Sequence, residues 1–423
     1  MCTTWLRCSL DKIDTWALLT TTPREIAGGN GHATLGKKGS RPGKMRSPSA
    51  LAVLGGGGSA EGGVGIAPGT LGLIDSTNRR IQLIQPEVAS RPSSSIGVGD
   101  VSATIESAAH ISCPTGLAFD ARDGTLLVAD NTSHRLCRLA MPSGALLSST
   151  GGHGRDSDAL WDPEAVAIDD DGRVYVADSG NHRIVVYEVD AQGELTRKHA
   201  FGKMGLGGAG ELASPFGVAV APRALGGLVY VADTVLNRVC LFTREGKFVR
   251  SVGGRRPLGA RRRADRLPPG HFELPRNLAI VRECLVVVEV RRVQVLQLTS
   301  LQTRQVIEFG GGPHGLRPMP TAAIAMAPTT DHPTRTASAI MWSGAATRRA
   351  LRRDADHGAP ITAGAGMAAA AAARASPMTQ PGAAVDEEPS LWGVAATDDC
   401  LLVTDVGRHR LHAFTLRHPA ASG

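Results

Sequence analysis

One segment shape recurs along this 423-residue chain, and it fixes most of what the chain can become. Residues 174–187 read VYVADSGNHRIVVY, and the same shape returns as LLVADNTSHRLCRL at 126–139 and VYVADTVLNRVCLF at 229–242. Weaker copies are LGLIDSTNRRIQLI at 71–84 and LLVTDVGRHRLHAF at 401–414. Each joins two β-rich runs through an Asp, a short polar turn and a basic residue, which is a hairpin signal. A sixth copy, CLVVVEVRRVQVLQL at 284–298, is degenerate, with Glu289 in place of the Asp and a shortened turn.

A third short strand opens at Pro48, Pro114, Pro163, Pro215 and Pro275 ahead of five hairpins, and Trp392 to Ala395 takes its place in the last. A fourth segment ends in glycines at Gly151-Gly152, Gly253-Gly254 and Gly310 to Gly312. The turn acids Asp75, Asp130, Asp178, Asp233 and Glu289 are separated by 55, 48, 55 and 56 residues. Four-stranded units repeated at that period predict an all-β β-propeller, which keeps its sheet edges short and covered. The step from Glu289 to Asp405 is 116 residues, twice 58, and it reads as a hidden unit. Its first strand would be Ala322 to Ala327 and its hairpin would start at Ser338 to Ser343. The count is then seven blades with one decayed; the rival count is six blades with a low-complexity insertion over 317–388. Regular repeats occupy 48–312 and the last repeat 389–416, within one domain spanning 1–423. The final unit stops after its third strand, so residues 12–29, with Thr15 to Ile26 before Gly28-Gly29, are predicted to supply the missing outer strand and close the ring.

Composition narrows the class. Hydrophobic residues at 42% and charged residues at 20% exclude a mainly disordered chain. No apolar run of membrane-spanning length occurs, and the first nine residues lack a secretory pattern. Early basic residues leave a transit peptide open. The seven cysteines are scattered without a CxxC pair, which argues against a zinc module or disulfide scaffold and for a cytoplasmic location, with nucleus or organelle open. Cys137 and Cys240 share the repeat position of Val185 and read as small core residues.

The Asp-x-x-x-[His/Asn]-Arg-[Ile/Val/Leu] turn, best in Asp178 to Ile184 and Asp233 to Val239, and the Pro-x-Gly-[Leu/Val]-Ala strand before it resemble NHL-repeat propellers. The resemblance covers about 25–312 and 389–416. It implies a fold firmly and a function weakly, because one fold hosts many functions. The family includes protein- and RNA-binding propellers of tripartite-motif ubiquitin ligases, extracellular sensor domains of bacterial kinases, and the related peptide-amidating lyases. The chain carries no RING, B-box, coiled-coil or kinase signature that would supply a ligase role.

The residues then divide by whether they repeat. Asp75, Asp130, Asp178, Asp233 and Asp405, with Arg135, Arg183, Arg238 and Arg410, recur in blade after blade. A group needed once for chemistry would not recur, so these are read as a structural hydrogen-bonded turn. His32, His110, His153, His271 and His314 fall in the connections between units, where the lyase relatives imply that three could meet on a metal. Spacing alone supplies no geometry for such a site, so no metal and no cofactor is predicted. Charge does not repeat. Between Arg244 and Arg266 lie nine basic and two acidic residues, a balance of +7 that equals the net charge of the whole chain. Arg255, Arg256, Arg261, Arg262, Arg263 and Arg266 would stand on the rim that faces a ligand, with a second basic patch at Arg348, Arg349, Arg352 and Arg353. Trp161, Phe216, Phe272 and Trp392 each lie within three residues of a first strand and would offer faces for stacking or for a partner's hot spot. The glycine-rich stretch from Gly55 to Gly65 has no following Lys-Ser/Thr and reads as a loop. The expected function is a non-enzymatic scaffold that binds a protein, or RNA, at the channel mouth and basic rim; the sequence assigns no oligomeric state. The alternative is a metal-dependent propeller enzyme of the peptidyl-hydroxyglycine amidating lyase or lactonase type.

Overall fold

The computed structural model describes residues 32–54, 69–84, 101–106, 111–254, 267–309, 316–318, 388–396 and 400–415. They form six antiparallel blades, each starting at the channel and ending at the outside. Blade 1 is Pro48–Leu54, Thr70–Asp75, Arg80–Ile84 and Val101–Glu106; blade 2 is Pro114–Asp120, Thr125–Asp130, Arg135–Ala140 and Leu146–Gly151. Blade 3 is Pro163–Ile168, Val174–Asp178, Arg183–Val189 and Leu195–Phe201; blade 4 is Pro215–Val220, Val229–Asp233, Arg238–Phe242 and Phe248–Gly253. Blade 5 is Asn277–Val281, Cys284–Val288, Arg292–Gln297 and Thr303–Phe309, with a fifth strand, Leu316–Pro318, on its outer edge. Blade 6 is Leu391–Ala396, Cys400–Asp405 and Arg410–Thr415, completed by His32–Leu35 from the other end of the chain.

The closing strand is therefore N-terminal in origin but is not 12–29, a segment outside the described residues. His32 to Leu35 already pairs with the free edge of Leu411 to Phe414, and an edge pairs once. Gly36, at φ 85°, is the glycine that ends this strand; Gly28-Gly29 carries the same signature eight residues too early.

The core is a set of six apolar layers, one between each pair of adjacent blades. Tyr175, Phe201, Phe242 and Val231 fill the layer between blades 3 and 4. Val286, Val295 and Phe309 of blade 5 meet Leu391, Val403 and Phe414 of blade 6. That contact corrects the count of seven: blade 5 packs on blade 6, so no blade stands between them. A spacing of 116 residues counts chain length, and residues 319–387, outside the described residues, join two neighbouring blades. The ring closes where Met45, Leu51, Leu71 and Leu73 meet Ala395, Leu402 and Leu411.

The inner strands crowd, and alternate blades use glycine to let them. A Cβ on Gly116 would stand 2.7 Å from the Cα of Ala165, one on Gly217 would stand 2.7 Å from the carbonyl oxygen of Arg276, and one on Gly393 would stand 3.0 Å from the Cα of Ala50. Blades 2, 4 and 6 thus give up a side chain where blades 3, 5 and 1 approach. Among the described residues no helix is long and apolar enough to cross a membrane.

Candidate functional site: the channel mouth

The repeated turns, the starts of the inner strands and the connections between blades all lie at one end of the ring, because Pro163 pairs with Asp178 and Gly151 with Arg135. At this end the repeated acid is a clasp. One carboxylate oxygen accepts the backbone N–H of the incoming connection: Arg46 to Asp75 at 2.6 Å, Cys113 to Asp130 at 2.8 Å, Trp161 to Asp178 at 2.7 Å, Ala213 to Asp233 at 2.7 Å and Ser390 to Asp405 at 3.0 Å. The other takes the arginine, with Nε of Arg80, Arg183 and Arg238 at 3.0, 2.7 and 2.8 Å and that of Arg135 and Arg410 at 3.6 and 4.0 Å. The guanidinium then reaches onward to connection carbonyls, as Arg183 does to Asp156 and Ala159 and Arg238 to Gly207 and Glu211.

The His/Asn position has a separate task, which the repeat pattern showed only as a preference. His134, His182, Asn237 and His409 are all left-handed, with φ between 51° and 56°. Asn and His tolerate that conformation better than most residues. From it each side chain accepts a backbone N–H of the next blade: Asp162 to His134 at 3.1 Å, Ser214 to His182 at 2.9 Å, Leu274 to Asn237 at 2.7 Å and Ser47 to His409 at 3.2 Å. The acid binds its own blade's connection, and the imidazole or amide stitches that blade to its neighbour. An Nδ1 that accepts must be unprotonated, and burial lowers the pKa of His134 accordingly.

Inside this stitched rim lies a second set, one residue per blade, that does not repeat. The residue after the first-strand Pro is bulged out of the ladder in blade 2 (Thr115), blade 3 (Glu164) and blade 4 (Phe216). Ser49 and Trp392 lie in the corresponding irregularities of blades 1 and 6, and Arg276 precedes the inner strand of blade 5. Bulges re-aim side chains and are over-represented beside active sites. Here they aim at the channel, because blades two apart make contact. Phe216 and Trp392 have ring centroids 6.1 Å apart, and the Arg276 guanidinium carbon stands 4.3 Å from the Trp392 centroid. The ring is lopsided: Ser49 and Thr115 are small and buried, whereas blades 3 to 6 carry an acid, two aromatics and a cation.

Glu164 is the unusual member. Its Oε1 accepts the Nδ2 donor of Asn131 at 3.1 Å, and its buried Oε2 has no hydrogen-bond partner among the described residues. Burial pushes its pKa up to about 8, with the charge of Asp162 adding and that of Arg276 opposing. Arg276 is brought down to about 10, also by burial. No ion pair within 4.0 Å joins the two; Nη1 of Arg276 is spent on Ser390 Oγ at 3.1 Å and the carbonyl of Leu391 at 2.9 Å.

The other sequence candidates distribute unevenly. Arg255, Arg256, Arg261, Arg262, Arg263, Arg266 and the second basic patch lie outside the described residues. Phe272 is 2% exposed and packs in the layer between blades 4 and 5, so it has no face to offer a partner. Its closeness to the inner strand in sequence was real, but it plugs the connection under Gly253. Trp161 is half-buried over the Gly180 turn, with Arg155 4.9 Å above its ring and His153 5.4 Å away. His153 and His271 belong to connections entering blades 3 and 5; the side chain of His32, and all of His110 and His314, lie outside the described residues. The one close group of three metal-ligand side chains among the described residues is Asp169, Asp170 and Asp171, at the opposite end of blade 3. Arg244 grips all three, and Arg223 pairs with Asp171.

Residues 112–139 and 160–187 match the NHL repeat family. The chain carries NHL repeats. These two segments contain the clasps of Asp130 and Asp178, the His134 and His182 stitches, and Glu164 of the mouth. Among curated proteins nothing matches the chain. Among solved structures it is similar to virginiamycin B lyase from Staphylococcus aureus, at 10% identity over 82% of this chain and 78% of that one, TM-score 0.41. A catalytically inactive variant of that lyase with quinupristin matches at 10% identity over 91% of this chain and 99% of that one, TM-score 0.44. Kuenenia stuttgartiensis hydrazine synthase matches at 17% identity over 46% and 48%, TM-score 0.34.

Proposed function

We propose that this NHL-repeat propeller is a non-enzymatic scaffold that binds a protein partner at its channel mouth. The observation that carries this reading is the non-repeated set Glu164, Phe216, Arg276 and Trp392, contributed by four consecutive blades to the channel end. Aromatic residues and arginine are the side chains that most often dominate protein interfaces. The repeated acids, arginines and imidazoles at the same end are engaged in holding the ring. RNA is the competing partner, through the basic connection between blades 4 and 5.

Surface plasmon resonance of the protein over immobilised random heptapeptides, beside single-stranded polyuridine, tests the reading. Peptide retention that falls about tenfold in Trp392→Ala supports it, since a hot spot contributes at least that much. Binding confined to polyuridine, with a salt slope that flattens when Arg261, Arg262 and Arg263 become Ser, would replace the protein partner with RNA. One tightly held zinc or calcium per purified chain would revive the lyase or lactonase alternative.

A further inference from the structure

The mouth contains a carboxyl group, Glu164, and a guanidinium, Arg276, that are held apart. A carboxyl group buried with one oxygen unused is costly, because a buried acceptor without a donor forfeits the water it lost. Among the described residues two charges act on it: Asp162 from its own blade raises the cost and Arg276 from blade 5 offsets part of it. Nη1 of Arg276 is occupied and its guanidinium face lies on Trp392, so it does not close the gap. Thr115, next to Glu164 in the ring, is small and spends its hydroxyl on the Pro163 carbonyl at 2.9 Å. Ser49 likewise shares its hydroxyl with Ser76 at 2.7 Å. What Glu164 lacks is a cationic donor, supplied from the channel.

We propose that the channel mouth is a receptor for the α-ammonium of a partner polypeptide's first residue, with Glu164 as counter-ion, Arg276 donating to that residue's carbonyl, and Phe216 and Trp392 walling its side chain. The ammonium supplies the donor that Oε2 lacks, and its positive charge lets Glu164 release to solvent the proton that burial holds on it in the empty mouth. The carbonyl two bonds away gives Arg276 Nη2 an acceptor, and the pair of half-buried rings, 6.1 Å apart, favours an apolar or aromatic first residue. This rests on the protein-binding reading and names the part of the partner that enters.

The test is titration calorimetry at pH 7 with the peptide Phe-Ala-Ala-Ala-amide, its N-acetylated form and free phenylalanine. The free-amine peptide is expected to bind at least tenfold more tightly than the acetylated one. Glu164→Gln, close to isosteric and able to keep the Asn131 contact, should remove that preference, and Arg276→Gln should weaken both peptides. Free phenylalanine is expected to bind more weakly than the peptide; tighter binding would assign the site to a free amino acid and overturn the polypeptide source. Equal binding of the two peptides, still lost in Trp392→Ala, overturns the ammonium site but leaves the scaffold reading standing. No binding of either peptide overturns the ammonium site, and the scaffold reading falls with it only where the random heptapeptides are not retained either.

Discussion

Blades 3 and 5 make the same clasp from different parts. In blade 3 the acid is Asp178 and its arginine is Arg183, five residues on, across a turn that also carries His182. In blade 5 the turn is two residues shorter, Arg292 follows Glu289 by three, and the His/Asn position is missing. Glu289 is one methylene longer. Its Oε1 takes Nε of Arg292 at 2.9 Å, and its Oε2 takes the N–H of Glu273 at 2.6 Å. Arg292 still reaches connection carbonyls, those of Leu267 and His271. The longer acid offsets the shorter turn, so what the blade preserves is the position of a carboxylate tip. The stitch is replaced as well: the carbonyl of Val290 accepts the N–H of Leu391 from blade 6 at 2.9 Å.

The largest effect is expected where the clasp loses its charge entirely. Asp178→Ala strands Arg183 and the Trp161 N–H, and should cost about 3–5 kcal/mol in denaturant unfolding. Glu289→Asp tests the comparison more sharply. Too short for its turn, it should leave buried donors unpaired at about 1–3 kcal/mol. A silent Glu289→Asp would show that tip position is not what blade 5 keeps.

Gly393→Ala drives a Cβ into the backbone of blade 1, against the Ser49 carbonyl, where neither strand can yield cheaply. A loss of about 1–3 kcal/mol in the same assay is expected. Blade 3, which has Ala165 at that position, should accept Ala165→Gly with a loss under about 1 kcal/mol.

Smaller effects belong to the stitch. His134→Ala should cost about 1 kcal/mol, the typical worth of one hydrogen bond, and His134→Asn should restore most of it, as Asn237 performs this task in blade 4. His134 has a pKa lowered by burial, so its contribution is complete above the ordinary imidazole range and is lost as pH falls below about 6.5. His134→Asn should flatten part of that acid limb. Glu164 has the opposite sign. With its pKa raised to about 8, the native state holds a proton that the unfolded chain releases, so stability falls as pH climbs from about 4.5 to about 8. The melting curves of wild type and Glu164→Gln should diverge across that window, Gln being the more stable at pH 8.

The fold was legible because a propeller writes its geometry once per blade. Hairpins, turn acids and first-strand prolines all sit where the repeat places them. The blade count was not, since it turned on the long step to Asp405, where spacing cannot distinguish a decayed unit from an inserted one. The closing strand was misplaced because a glycine pair marks a strand end without saying which strand. Phe272 illustrates a further limit: nearness to an inner strand does not say whether a ring faces the channel or the core. Glu164 and Arg276 were passed over for the reason that makes them informative. They follow the first-strand Pro at the x position that the repeat leaves unspecified, and only the structure, through the bulge at Glu164 and the stacking of Arg276 on Trp392, turns that position toward the channel.

One face of the ring is shared between residues that hold it together and residues that bind. Two carboxyl-to-amide swaps, Asp178→Asn and Glu164→Gln, measured for both unfolding midpoint and affinity for Phe-Ala-Ala-Ala-amide at pH 7, test that division directly. Asp178→Asn should lower the midpoint and leave the affinity of the folded protein unchanged, while Glu164→Gln should hold or raise the midpoint and weaken binding at least tenfold. The reverse pattern, with Asp178→Asn abolishing binding in a stable ring or Glu164→Gln unfolding it, would contradict the account.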